Sequence, residues 1–188
     1  MAEAREGRRR VYFVDASHFV LGSFLGWVWC FTRLFVRAAS GRQRYNVLGA
    51  LNAVTHELVT YVNTTYITAE SVCTLLRTIA AGGLSIPITL VLDNARYQRC
   101  ALVQNLAKEL GIELLFLPSY SPNLNLIERL WKFVKKEVLN SRHLQDFKKF
   151  QEAIDGCLAA LPTKHKEKLA TLLTHNFQTW ENVSVLNA

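Results

Sequence analysis

The chain has 188 residues, half of them hydrophobic and a fifth charged, which excludes a largely disordered protein and suffices for one compact domain. An excess of 22 Lys and Arg over 15 Asp and Glu gives a net charge of +7, which favours a polyanionic partner such as nucleic acid. The longest apolar run, Phe19 to Phe31, contains two glycines and is shorter than the roughly 20 residues that cross a bilayer. We therefore expect no membrane-spanning helix.

The first part of the chain predicts an antiparallel meander of three strands. Val11–Ser17 is rich in β-branched and aromatic residues and predicts a buried strand with Asp15 at its C-terminal end. Gly26–Arg37 and Tyr45–Val54 are two further strand candidates. The polar residues Ser40–Arg44 between them are typical of a hairpin connection.

A polar, strand-like segment and a helix follow the meander. Residues Glu57–Ile67 have the composition of a strand. Thr68 is a favourable N-cap, and Gly82 stands where a helix of ordinary length would end. These signals predict a helix that begins at Ala69.

The second half of the chain alternates strand and helix. Ile88–Asn94 is almost wholly apolar up to Asp93 and predicts a strand buried on both faces. Arg96–Gly111 predicts an amphipathic helix, and Ile112–Pro118 predicts another short buried strand. This order favours parallel pairing of the two strands.

Three helical segments complete the chain. Ser121–Asn140 predicts a helix with Ser121 as N-cap and Pro122 at its first position. Gln145–Leu161 and Lys164–His175 predict two more helices, which we expect to pack across the sheet. Together the elements predict an α/β domain with a five-stranded mixed sheet flanked by helices.

Three acids occupy unusual positions in this arrangement. Asp15 and Asp93 end apolar strands, and Glu128 adjoins the apolar face of a helix. If the strands are parallel neighbours, both aspartates emerge at the same sheet edge, and the helix can bring Glu128 over it. Clustered carboxylates repel one another unless a cation neutralises them. Oxygen ligands favour Mg²⁺ or Mn²⁺, and a pair of such ions suits in-line phosphoryl transfer. Each acid taken alone is better explained as a strand-end or capping residue.

These segments closely resemble the catalytic domain of the mariner-like insertion-sequence transposases, which are DDE superfamily endonucleases with a ribonuclease H-like fold. The 34 residues between Asp93 and Glu128 match the spacing typical of that family. The resemblance runs from about Val11 to about Trp180. It rests on the blocks VYFVDASHFVLGSFLGWVWCF, SGRQRYNVLGALN, VLDNARYQ and LPSYSPNLNLIERLWKFVKK.

The resemblance implies a role for each acid and a reaction. Asp15 would bridge two divalent ions, Mg²⁺ or Mn²⁺, while Asp93 and Glu128 would each hold one of them. The implied reaction is DNA transposition: hydrolysis at the element's ends, then attack of the freed 3′-hydroxyl on a TA target. The implied partners are element-end and target DNA and a homo-oligomer on that DNA. The implied location is the cytoplasm of a prokaryote, in association with the nucleoid.

Family members also carry a helix-turn-helix region before their first catalytic aspartate. Here residues 1–10 form a basic tail, and residues 11–188 would form the catalytic domain. Ten residues cannot bury a core of their own. We therefore expect a catalytic half that depends on a separate N-terminal helix-turn-helix polypeptide for sequence choice.

Two positions depart from the family pattern, and a few others leave alternatives open. Many members have His where this chain has Gln98, and many have Pro where it has Leu126. His18 could lie near the metals or be a partly exposed loop residue. Trp27 and Trp29 could stack on unpaired bases, although core packing is the stronger expectation.

The basic residues of the Glu128 helix are candidates for DNA binding. Spacing places Lys132 and Lys136 on the face of Glu128, where they could contact phosphates. Arg129 could do the same or lie on a solvated face. Asn94 could orient a carboxylate, touch a phosphate or simply form a turn.

Two rival functions use the same acids differently. One is another metal-dependent nuclease of the ribonuclease H-like fold, which would not be expected to show the 34-residue spacing. The other is a domesticated DNA-binding remnant without catalysis. The presence of all three acids argues against the remnant.

Overall fold

A five-stranded mixed sheet organises the chain. The computed structural model describes residues 1–22, 31, 43–83, 85–118, 121–140, 144 and 146–177. The strands are β1 (Arg10–Val20), β2 (Arg44–Asn52), β3 (Leu58–Asn63), β4 (Ile88–Leu92) and β5 (Ile112–Phe116), in the order β3-β2-β1-β4-β5. The helices are α1 (Ala2–Arg5), α2 (Ala69–Ala80), α3 (Ala101–Glu109), α4 (Ile127–Leu139), α5 (Phe147–Ala159) and α6 (Lys166–Leu172). None of these described helices has the length and apolarity needed to span a membrane.

Strand β1 lies at the centre of the sheet and is longer than predicted. It pairs in parallel with β4 only as far as Val14 and Leu92. Beyond that point it continues to Val20 because β2 still supplies antiparallel backbone partners. Asp15 therefore lies in the middle of a strand, and the prediction that it ends one was wrong. Asp15 and Asp93 nevertheless come directly after Val14 and Leu92, the last two residues that pair between β1 and β4.

The meander consists of β1, β2 and β3, with antiparallel pairing throughout. Strand β2 is therefore its middle strand, whereas the sequence predicted that these residues would form the last one. The polar segment that follows supplies the third strand. The predicted strand Gly26–Arg37, which includes Trp27 and Trp29, lies outside the described residues except for Phe31. The first three residues of the predicted hairpin segment Ser40–Arg44 also lie outside them.

The parallel half of the sheet follows the predicted order. All five residues of β4 are buried, as its apolar composition predicts. Strand β5 lies at the sheet edge, and of its five residues only Ile112 is buried, while Leu115 is 47% exposed. The prediction of a fully buried strand was wrong there, because an edge strand has a neighbour on one side only. Helix α3 begins at Ala101, five residues later than predicted.

Helices cover both faces of the sheet. Because successive side chains of a strand point to opposite faces, the residues of β1 contribute alternately to the two cores. Val14 packs in the core beneath α2 and α3. Phe13 packs in the other core, which contains the buried faces of α4, α5 and α6. Helix α2 begins as predicted, with a capping box between Thr68 and Ser71. Helices α5 and α6 contact α4.

Helix α4 begins five residues later than predicted. A 3₁₀ helix, Pro122–Leu124, occupies the region where the first α-helical turn was expected. Asn125 follows it, fully buried, and α4 starts only at Ile127. Glu128 is therefore in the first turn of α4, not one to two turns into a helix.

The first ten residues fold back on the sheet. They include helix α1 and the first residue of β1. The Nη1 of Arg9 donates hydrogen bonds to the Thr89 hydroxyl (2.8 Å) and to a carboxylate oxygen of Glu113 (2.7 Å). This basic segment is thereby joined to β4 and β5.

Candidate active site

Three carboxylates meet at the edge of the sheet. Asp15 comes from β1, Asp93 follows β4, and Glu128 lies in the first turn of α4. One carboxylate oxygen of each lies within 4.8 Å of the others, and all three side chains are partly buried. Segments far apart in the sequence thus converge at one point, because β1 and β4 are parallel neighbours, which was the condition for the aspartates to share a sheet edge.

A glycine on β2 lets α4 approach the sheet closely. Gly49 pairs with Asp15 across the strands. A Cβ at this position would lie 2.8 Å from the Cη2 and Cζ2 atoms of Trp131 and 3.1 Å from the Cδ1 atom of Ile127. The indole of Trp131 therefore occupies the space beside Asp15 that a larger residue would fill. This packing holds the helix that carries Glu128 against the sheet.

The electrostatics of the cluster centre on Asp15. Burial raises the pKa of Asp15 to about 7, and the charges of Glu128 and Asp93 act in the same direction. A hydrogen bond from the backbone N–H of Ala16 and the charge of Lys135 act against this rise. The carboxylate thus carries a proton more readily than a solvated one, as expected where negative charge is concentrated without a cation.

Tyr97 is a second ionisable group near the cluster, and sequence reasoning did not identify it. Burial raises the pKa of its phenol to about 12, and the charges of Asp15 and Asp93 act in the same direction, while the Gln98 amide acts against them. The phenol therefore remains protonated at neutral pH. Gln98 itself is fully buried, so it belongs to the protein interior.

Asn125 connects the segments that form the site, and sequence reasoning missed it as well. Its Nδ2 atom donates to Oδ1 of Asp93 (3.1 Å) and to the carbonyl of Val14 (3.2 Å), the residue before Asp15. Its Oδ1 is buried without a protein partner. The available signal was a polar residue inside the apolar run Leu124–Ile127.

The donor set fits a hard divalent cation. The cluster offers carboxylate oxygens, with no Cys or His among the grouped residues, and Mg²⁺ and Mn²⁺ prefer oxygen ligands of this kind. The hydroxyl of Ser17, two residues beyond Asp15, is also buried without a protein partner. Unpaired buried oxygen atoms beside clustered acids suit bound cations with their waters.

The basic residues of α4 differ in their surroundings. Lys132 and Lys136 are exposed, while the Nζ of Lys135 lies 5.8 Å from the centre of the Phe19 ring. Arg129 donates to backbone carbonyls at the end of α6 and in the segment that follows it, and its guanidinium lies over the Phe177 ring. Its three acceptors belong to Leu172 (3.4 Å), Thr174 (2.7 Å) and Asn176 (2.7 Å).

Two other sequence candidates differ in their position relative to the triad. Asn94 follows Asp93, and its side-chain oxygen accepts a hydrogen bond from Nη1 of Arg99 (2.7 Å). His18 lies on β1, three residues beyond Asp15 and therefore on the opposite face of the strand. Its Nδ1 contacts Oδ1 of the buried Asn46 (2.7 Å). The triad is therefore separated from His18 by the sheet.

Comparisons with solved structures support the fold. The Mos1 strand transfer complex is 12% identical over 96% of this chain and 57% of that chain, with a TM-score of 0.57. The simian T-cell lymphotropic virus intasome is 16% identical over 80% of this chain and 47% of that chain, with a TM-score of 0.54. This chain thus spans about half the length of these two relatives.

A shorter viral domain matches over most of the length of both chains. The catalytic core domain of HTLV-2 integrase, solved with magnesium, is 14% identical over 80% of this chain and 84% of that chain, with a TM-score of 0.52. At these identities the likeness establishes a ribonuclease H-like fold, as the sequence predicted.

The sequence itself matches a family as well. No curated protein sequence matches the chain. The family model described as DDE superfamily endonuclease matches residues 10–151, a range that includes Asp15, Asp93 and Glu128 and covers most of the chain. The chain belongs to the DDE superfamily of endonucleases.

Proposed function

We propose that this domain catalyses DNA transposition by cleaving phosphodiester bonds at the ends of an element and joining the freed 3′-hydroxyl to target DNA. The observation that carries the proposal is the convergence of Asp15, Asp93 and Glu128 within 4.8 Å, in a chain of an endonuclease family. Both steps exchange one phosphodiester oxygen for another, so a single site can catalyse them in turn.

Asp15, Asp93 and Glu128 would hold two Mg²⁺ or Mn²⁺ ions, with Asp15 taking part in both sites and Asp93 and Glu128 in one each. When bound, such ions stabilise the charge of the phosphate in the transition state and activate the attacking oxygen. The amide of Asn125 holds the Asp93 carboxylate in place. Burial and the neighbouring acids raise the pKa of Asp15 to about 7, and cation binding would favour its deprotonated form.

The exposed side chains of α4 are assigned to DNA. Lys132 and Lys136 are four and eight residues beyond Glu128, so all three share one face of the helix. Both are exposed, which suits contact with phosphates beside the cleaved bond. Asn94, next to Asp93, is assigned to the same DNA surface. Arg129 reaches that surface only if it gives up hydrogen bonds to backbone carbonyls.

Recognition of a particular element end is assigned to a helix-turn-helix region outside the catalytic domain, and assembly of the reacting complex to a homo-oligomer on DNA. Among the described residues, helices α2 to α5 bury their apolar faces in the two sheet cores. We therefore assign these helices to the catalytic fold and not to sequence recognition. We expect the 188 residues alone to bind terminal-repeat and scrambled DNA equally in a gel-shift competition. A preference of tenfold or more, about 1.4 kcal/mol, would place sequence recognition in this domain.

A strand-transfer assay tests the proposal. End-bearing DNA with a labelled 3′ strand is incubated with a target plasmid in Mg²⁺, in Mn²⁺ or in EDTA. We expect cleavage and joining by the wild type with either cation, and neither product from Asp93→Asn, which replaces an anionic ligand by a neutral amide of the same shape. DNA affinity of this variant should be nearly unchanged, which separates loss of chemistry from loss of binding.

Two outcomes favour the rivals. Metal-dependent cleavage without joining would indicate another nuclease of this fold. DNA binding without cleavage under any condition would indicate a remnant without catalysis. Cleavage by Asp93→Asn above a few per cent of wild type would remove Asp93 from the triad.

A further inference from the structure

Strands β1 and β2 extend past the catalytic edge of the sheet. The pairing of β1 with β4 ends at Val14 and Leu92, but β1 and β2 remain paired as far as Val20 and Arg44. Arg44 is thus five strand residues beyond the level of Asp15, or about 17 Å at 3.3 Å per residue. The end of β3 lies alongside, since Asn63 pairs with Asn46.

An open cleft of about 550 Å³ lies at the end of this extension. Five of its six described lining residues have side chains that donate hydrogen bonds, and none of the six is acidic. Arg44 is exposed and forms no ion pair with any described residue. The lining residues are Gln43, Arg44, Thr64, Thr65, Tyr66 and Phe147. A concave surface of donors with one unneutralised cation is complementary to an anion.

The loop that forms one wall of the cleft is held by two side-chain amides, one of them buried. Asn46 is 1% exposed, and its Nδ2 donates to Oδ1 of Asn63 and to the carbonyl of Thr65, both at 2.9 Å. Asn63 in turn donates to the carbonyl of Tyr66 (2.8 Å). The Tyr66 side chain is 73% exposed on this fixed loop. A pinned loop that presents an exposed tyrosine is suited to binding, because little ordering is needed on contact.

We propose that this cleft binds a backbone phosphate of the DNA on which the triad acts. The inference rests on the proposed function, since it takes the partner to be DNA. A distance of about 17 Å corresponds to about five nucleotide steps at 3.4 Å per step along one strand. Arg44 pairs with Val20, five residues beyond Asp15, so its side chain leaves β2 on the sheet face opposite to Asp15. The cleft is thus placed to hold DNA that passes the end of this strand extension, about half a helical turn from the cleaved bond. A phosphate contact of this kind fixes the register of the DNA without reading its sequence.

The test compares salt dependence of DNA binding among charge variants. Fluorescence anisotropy with a 30-base-pair random duplex, in EDTA, gives the slope of log K against log salt for wild type, Arg44→Gln, Arg44→Lys and Lys108→Gln. Lys108 is a matched control because it lies near the end of the sheet opposite to the triad. It is four residues before Ile112, which pairs with Ile88, the first residue of β4. Asp93 follows the last residue of the same strand. Circular dichroism and thermal unfolding verify that each variant is folded.

We expect Arg44→Gln to reduce the slope by about 0.9, the value for one phosphate contact, and to weaken binding several-fold at low salt. Arg44→Lys should retain the wild-type slope because it keeps the charge, and Lys108→Gln should not alter it. An unchanged slope for Arg44→Gln, or an equal reduction for Lys108→Gln, overturns the proposal. Stabilisation of wild type but not of Arg44→Gln by inorganic phosphate, with no change in DNA slope, would also overturn it by indicating a small-anion site.

Cleavage assays on the same preparations separate this inference from the proposed function. Metal-dependent cleavage by the wild type together with an unchanged Arg44→Gln slope refutes only the cleft. A reduced slope without any cleavage supports the cleft as a DNA contact and refutes the transposition assignment.

Discussion

The Nδ2 atom of Asn125 donates a hydrogen bond to Oδ1 of Asp93 at a distance of 3.1 Å. The same atom donates to the carbonyl of Val14, so one amide connects the segment before α4 to both aspartate-bearing strands. Asn125 is 1% exposed, so these bonds are shielded from water. The position of Asp93 relative to Asp15 therefore depends on this side chain as well as on the sheet.

Replacement of Asn125 by Ala should weaken divalent-ion binding by about 10- to 100-fold, the range observed when a residue that orients a metal ligand is removed. The free energy of unfolding should fall by about 1–2 kcal/mol because the hydrogen bonds are lost. Isothermal titration with Mn²⁺ measures the affinity, and Asn123→Ala, on the exposed side of the same segment, is the control. Equal affinities for the two variants would contradict a positioning role for Asn125.

The stability of the metal-free protein should decrease as the pH rises towards and through neutrality. The folded protein raises the pKa of Asp15 from 3.8 to about 7, so in this range the native state binds more protons than the unfolded state. Stability is then greatest below the unfolded pKa and falls by up to about 4 kcal/mol across the window. Denaturant unfolding in EDTA at pH 5, 6, 7 and 8 measures this decrease.

The Asp15→Asn variant is the matched control for this pH dependence. Its amide does not titrate, so its stability should change less between pH 5 and pH 8 and should exceed that of wild type at pH 8. Addition of Mg²⁺ at pH 8 should stabilise the wild type but not the variant. Parallel pH profiles for the two proteins would show that Asp15 has an ordinary pKa.

A methyl group at Gly49 should disturb the packing beneath the triad. The Cβ of Gly49→Ala would lie 2.8 Å from two atoms of the Trp131 ring, so the indole or α4 must move, at a cost of about 1–3 kcal/mol. Gly156→Ala is the control, because a Cβ there has no neighbour within 4 Å and should stabilise α5 by about 0.5–1 kcal/mol. Thermal unfolding of both variants measures these stability changes. If Gly49→Ala leaves the stability unchanged, α4 is loosely packed against the sheet.

Simultaneous replacement of Lys132 and Lys136 by Ala should lower the slope of log K against log salt for random duplex DNA by about 2, if each contacts one phosphate. Both side chains are exposed on the Glu128 face of α4, so the fold should be unaffected. Salt titrations followed by anisotropy measure the slope. A slope equal to that of wild type would place these lysines away from DNA.

Replacement of Arg129 by Gln should affect the end of the described chain more than DNA binding. The arginine donates to three backbone carbonyls, one at the last residue of α6 and two in the segment after it, which a glutamine amide cannot reproduce. We expect faster amide hydrogen exchange in residues 172–177 and a salt slope close to wild type. A reduced slope with unchanged exchange would instead indicate that Arg129 leaves these carbonyls and contacts DNA.

Local patterns in the sequence determined much of this fold. Apolar runs and caps predicted β4 and the start of α2 at Ala69, because buried strands and helix N-termini select their residues by short-range physics. The acids were also predicted to converge, since the ends of neighbouring parallel strands share a sheet edge. Asp15, Asp93 and Glu128 therefore could be named from their positions in the chain.

The tertiary structure alone decided how the triad is held. The bond from Asn125 to Asp93 spans 32 residues, and Arg129 reaches Thr174 across 45. Contacts over such separations depend on how elements pack, so they leave no periodic trace in the sequence. The late start of α4 has the same origin, because the buried amide of Asn125 bonds to β1 and to Asp93. The extension of β1 to Val20 likewise required β2, which supplies its backbone partners, to be in place.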